Sequence, residues 1–108
     1  MAPPPGTAPA RHLGIVAASP EGCSLFYREF FRRLEARAGG LPAPRVSLHN
    51  EPLGAYLGAV DRADWQTVGQ LLAESAKKLV SIGADLLVVP ENLLQFGVHL
   101  AEHAAPVP

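Results

Sequence analysis

The residues of this 108-residue chain that could do chemistry gather at three places, of which Val89-Pro90-Glu91-Asn92-Leu93-Leu94-Gln95 is the most informative. A carboxylate directly after an apolar run sits where water is scarce and fields are strong, which suits a general base of raised pKa. Glu91 fits that role, and it fits equally the acid that precedes an ordinary helix. Asn92 is either the N-cap of that helix or a ligand-binding amide. The second place is His49-Asn50: each side chain can hydrogen-bond a small polar ligand, and an imidazole can exchange protons near neutral pH. The competing reading is a strand that ends at His49 and a turn that Asn50 begins before Pro52. The third is Ala17-Ala18-Ser19-Pro20-Glu21-Gly22-Cys23, leading into a helix whose first N–H groups suit a carboxylate or phosphate. It has neither the glycine spacing and lysine of a P-loop nor a dinucleotide fingerprint. Cys23 falls in the first helical turn, where a thiol is acidified, yet a lone helical cysteine is more often a small buried hydrophobe. His99 and His103 have the i, i+4 spacing of a ligand pair, but no third ligand and no HExxH pattern accompany them, so no metal is expected. Solvent-facing histidines near a helix C-terminus are the better reading.

These places need elements to position them. His12 to Ala17 is a short apolar run suited to a buried strand. Ser19 and Pro20 then read as N-cap and first position of a helix, with Phe26, Phe30 and Leu34 as its packing stripe and Gly39-Gly40 and Pro42 as its end. Arg45 to His49 is a second strand, and a short amphipathic piece follows from Leu53 to Val60. Asp64 caps a strong helix with Val68, Leu71, Leu72, Ser75, Ala76 and Leu79 on one face, and Gly83 stops it. Asp85 to Val89 is a third strand whose continuous apolar run implies burial on both faces. A last helix is expected from Leu93 to His103. Alternation of buried strands with helices implies right-handed crossovers and a three-layer α/β/α domain around a small parallel sheet. Ligands of such folds bind outside the C-terminal ends of the strands, so the three places above converge there. The sequence ends after Pro106 where a further strand would begin, so the domain at 12–108 is expected to be incomplete. Residues 1–11, rich in proline and alanine, are expected to be a disordered tail.

Composition limits the function classes. A net charge of -1 and a pI near 6.4 give no footprint for nucleic acid or an anionic membrane. No apolar run is long enough to span a bilayer and the start lacks a signal peptide's apolar region, so a cytoplasmic protein is expected. The single cysteine cannot form an internal disulfide, which agrees with a reducing compartment. A short sheet with an unfinished edge is an aggregation risk, so a homodimer or poor solubility is expected, and the incomplete domain points to a missing C-terminal half.

Three stretches carry a resemblance. LGIVAASPEGCSLFYREF, RVSLHNEPL and AESAKKLVSIGADLLVVPENLLQ occur in the order of the N-terminal strand and loop, the second strand and loop, and the A-x-x-L-x-x-x-G-A-D stretch before P-C-N-T-x-H of the aspartate/glutamate racemase family. The region 12–108 thus resembles the N-terminal domain of that fold. The resemblance implies two pseudo-symmetric α/β domains, each supplying one cysteine, that remove and return an α-proton on opposite faces of a small acidic amino acid without any cofactor. Carried over by position, Pro90 and Asn92 match the motif, Glu91 stands on the cysteine, Leu93 on the threonine and Gln95 on the histidine. Ser19, Glu21, Asn50 and Asn92 then line the substrate pocket, with Glu91 as the catalytic candidate and an amino acid or carboxylate as the partner. The expected function is a PLP-independent racemase of aspartate or glutamate. The alternative is a non-catalytic binding module or pseudoenzyme that keeps the pocket without proton transfer.

Overall fold

Ser19 shows how local sequence sets the architecture: its Oγ accepts a hydrogen bond from the Gly22 N–H at 3.2 Å, and Pro20 fills the first helical position where no N–H is needed. The computed structural model describes residues 11–37 and 43–90. In chain order these form β1 (His12–Ala17), α1 (Pro20–Ala36), β2 (Arg45–Asn50), α2 (Leu53–Asp61), α3 (Trp65–Ser81) and β3 (Leu86–Val88). The strands make a parallel sheet in the order β2-β1-β3, with His12 opposite Arg45 and Leu13 opposite Leu86.

The central strand is the hub. From Leu13 to Ala17 every residue of β1 is buried, and alternate residues serve opposite faces. Leu13, Ile15 and Ala17 meet Cys23, Phe26 and Phe30 of α1, with Val46 and Val88 alongside. Val16 and Ala18 join Tyr56, Ala59, Val68, Leu72, Ala73, Ala76 and Leu79 of the α2–α3 layer. One helix on one face and two on the other give the expected α/β/α sandwich. Each fully buried leucine or valine in these layers contributes about 1.5–3 kcal/mol relative to exposure.

Asp64 caps α3, accepting from the Thr67 N–H at 3.1 Å and the Thr67 hydroxyl at 2.6 Å. Gly83 ends α3 with φ +101°, a left-handed conformation that glycine adopts without a Cβ penalty. The Gly83 N–H donates to the Val80 carbonyl and the Ala84 N–H to the Leu79 carbonyl, which turns the chain directly into β3. Gly14 is required for a different reason: a Cβ there would lie 2.7 Å from Leu87 Cδ2 and 3.0 Å from the Ala84 Cβ. Its absence lets α3 and β3 close onto β1.

Two strand expectations are corrected. β2 runs one residue further than expected, to Asn50, because Asn50 still pairs with Ala17 in the ladder. β3 is shorter than Asp85 to Val89 and is not buried on both faces: Leu86 is 37% exposed and Leu87 and Val88 are half-buried. Its apolar run is continuous, but it lies at one side of the described sheet, and α1 packs over the β1 side chains rather than over Leu86. The helix expected from Leu93 to His103, which carries His99 and His103, lies outside the described residues, as does Pro106.

Candidate functional site

Chain connectivity brings the loops after β1 and β2 together at the C-terminal end of the sheet. The loop after β1 leads to α1 on one face, whereas the loop after its neighbour β2 leads to α2 and α3 on the other. Sheets of this kind bind ligands outside the C-terminal ends of their strands. Ser19, Glu21 and Asn50 all lie in or next to the segments at those ends. Glu91 and Asn92 lie outside the described residues, and so does the third loop beyond Pro90.

Asn50 ties the strand ends together. Its Nδ2 donates to the carbonyls of Ala17 at 3.1 Å and Ala18 at 3.2 Å, across from β2 to β1, and to the Glu51 carbonyl at 2.6 Å. The Asn50 amide thus joins two strand ends at the place where their chains diverge. Ser19 is held by its capping role, and Glu21 is exposed in the first turn of α1, where a carboxylate complements the helix dipole. Cys23 is 4% exposed and packs with Leu13, Ile15 and Ala17, so its setting is that of a core residue.

His49 is drawn to the opposite face from α1. Its Nδ1 lies 2.6 Å from the hydroxyl of Ser75, which also donates to the His49 carbonyl at 3.3 Å. The next acid, Glu51, brings Oε1 to 3.9 Å from His49 Nε2 and 3.3 Å from Lys78 Nζ. Tyr56 of α2 completes this side. Its hydroxyl is buried without a hydrogen-bond partner, and desolvation, reinforced by the negative charge of Glu51, pushes its pKa from 10.0 up to about 12. Among the described residues no group of three His, Cys, Asp or Glu side chains is arranged to hold a metal ion. No helix among them is long and apolar enough to cross a membrane.

Glu51, Tyr56, Ser75 and Lys78 were not marked as site residues by sequence. Ser75 carried the one legible signal, a hydroxyl in the middle of an otherwise apolar helix stripe. A fully buried polar residue on such a stripe requires a partner, although spacing alone does not name His49.

No protein-family model matches the chain, and no curated protein matches it. Among solved structures it is similar to the crystal structure of a proposed Asp/Glu racemase from Yersinia pestis, with 28% sequence identity and a TM-score of 0.82 over 91% of this chain. The chain spans 43% of the length of that protein.

Proposed function

We propose, from the resemblance of this chain to the aspartate/glutamate racemase family in both fold and sequence, that it supplies one α/β side of a site for a small acidic amino acid or related carboxylate. The observation that carries this reading is the convergence of Ser19, Glu21 and the Asn50 clamp at the C-terminal end of the sheet, in a fold shared with an enzyme proposed to act on such amino acids. Ser19 and Asn50 order the strand ends, and the exposed carboxylate of Glu21 suits an ammonium group. Glu91 follows β3 by three residues and is the candidate base for the α-proton. Removing that proton leaves a carbanion beside a carboxylate, which needs preorganised donors at the developing charge. Inversion also needs an acid on the opposite face, so racemisation calls for a second half or a partner chain, whereas proton exchange needs only the base.

A second reading is favoured by Glu91, Leu93 and Gln95, which replace a thiol and two polar residues in the motif that the sequence resembles. It makes the chain a binding module for the same ligands without proton transfer. Proton NMR of aspartate and glutamate in D2O with the purified chain separates the two. Loss of the α-proton signal with the parent but not with Glu91→Gln supports catalysis. Saturation transfer to either amino acid without exchange supports the binding module. Neither exchange nor binding overturns both.

A further inference from the structure

Ser75 has one hydroxyl proton and two neighbours on His49. The His49 carbonyl only accepts, and it receives that proton at 3.3 Å. The contact at 2.6 Å between Ser75 Oγ and His49 Nδ1 takes a proton from the ring when the hydroxyl proton lies on the carbonyl. The other ring nitrogen, Nε2, lies 3.9 Å from Glu51 Oε1. Ser75 thereby holds the ring with Nε2 toward a carboxylate.

The groups around this pair come from each packed element. β2 brings His49 itself, the following loop brings Glu51, α3 brings Ser75 and Lys78, and α2 brings Tyr56. Across the ladder His49 pairs with the apolar Val16 of β1. Lys78 already reaches the same Glu51 oxygen at 3.3 Å. A proton on Nε2 therefore adds a second cation to a carboxylate that is shared with α3. Between His49 and Glu51 lies Asn50, whose Nδ2 is bonded to the Glu51 carbonyl and to the carbonyls of Ala17, the last residue of β1, and Ala18 after it.

We propose that the neutral His49 ring carries its proton on Nδ1 and that His49 is a proton-sensitive positioning residue of the strand ends: protonation at Nε2 draws Glu51 toward β2 and resets the Asn50 clamp across β1 and β2. The proposal concerns the geometry of the strand ends, and its consequence for ligand affinity rests on the function proposed above. It gives the strand ends a dependence on pH through a side chain on the opposite face from α1.

The test follows the His49 ring and the Asn50 side-chain amide by heteronuclear NMR of the full chain over about pH 5 to 8, where imidazoles titrate. The ring nitrogen shifts should report a neutral form protonated on Nδ1, and the Asn50 amide should move with the midpoint of His49. Glu51→Gln should abolish the Asn50 response while His49 still titrates. His12→Gln, which removes the other imidazole of the sheet, bonded to Ser47, should leave that response intact. An Asn50 amide that stays still through the titration overturns the proposal, as does a response that survives Glu51→Gln, or a neutral ring protonated on Nε2. L-aspartate added at both ends of the range tests the consequence: its affinity should change with pH in the parent and not in Glu51→Gln. Absence of aspartate binding counts against the proposed function, while the coupling of His49 to Asn50 is decided by the ligand-free titration.

Discussion

At the scale of single residues, Tyr56 places a phenol in the apolar layer between β1 and the α2–α3 pair, and its hydroxyl is buried without a hydrogen-bond partner. The ring fills volume, while the hydroxyl has lost its water and gained nothing in return. Tyr56→Phe keeps the ring and removes the orphaned group, so it should raise stability by about 1 kcal/mol at neutral pH, measured by urea unfolding. The same variant should alter the alkaline limb. With the folded pKa raised from 10.0 to about 12, the parent's stability is complete below the ordinary phenol pKa and is lost as pH climbs between those values. Tyr56→Phe should lack that decline. A variant less stable than the parent at pH 7 would show that the hydroxyl has a partner in solution.

At the scale of elements, helix ends are fixed by specific local contacts. Asp64 is the clearest case, because the Thr67 hydroxyl and then the Thr67 N–H bond to its carboxylate and hold its pKa below the usual value. The sign follows from that direction. A depressed carboxylate pKa gives stability that is present above the unfolded pKa and is lost as pH falls through the folded one. Acid titration should therefore loosen the α3 N-terminus below about pH 4, near the ordinary carboxylate pKa. Asp64→Asn, which caps without titrating, should flatten this part of the acid limb, visible as Thr67 amide exchange that no longer accelerates with acid. Ala63, just before the cap, occupies φ +52°, so the α2–α3 junction accepts a left-handed non-glycine residue to bring Asp64 into place.

At the scale of the whole molecule, the two helical layers depend on one strand. Gly14 lets Leu87, Ala84 and Leu79 approach β1 from the α3 side, leaving no room for a methyl group. Gly14→Ala should cost about 1–3 kcal/mol through overpacking, read as a lower urea midpoint at unchanged m-value. A substitution without effect would mean that the sheet and α3 separate more readily than their packing implies. The candidate site also belongs to this scale. β1 and β2 send their chains to opposite faces, and the Asn50 clamp holds them together at the point of divergence.

The sequence by itself determined what short-range chemistry determines. Ser19-Pro20, Asp64 and Gly83 mark helix ends through contacts within a few residues, and the stripe from Val68 to Leu79 repeats at the helical period. The α/β/α class and the convergence of the loops after β1 and β2 followed from that alternation. Tertiary structure alone decided which strand is central, because periodicity records burial and not neighbours. Leu13 to Ala17 and Leu86 to Val88 are both continuous apolar runs, yet only the first is enclosed by both layers. It also decided the partners of the candidate site. Asn50 meets Ala17 and Ala18 from 33 and 32 residues away, and His49 meets Ser75 from 26 away. A side chain can advertise that it needs a hydrogen-bond partner, but the fold chooses which one lies within reach.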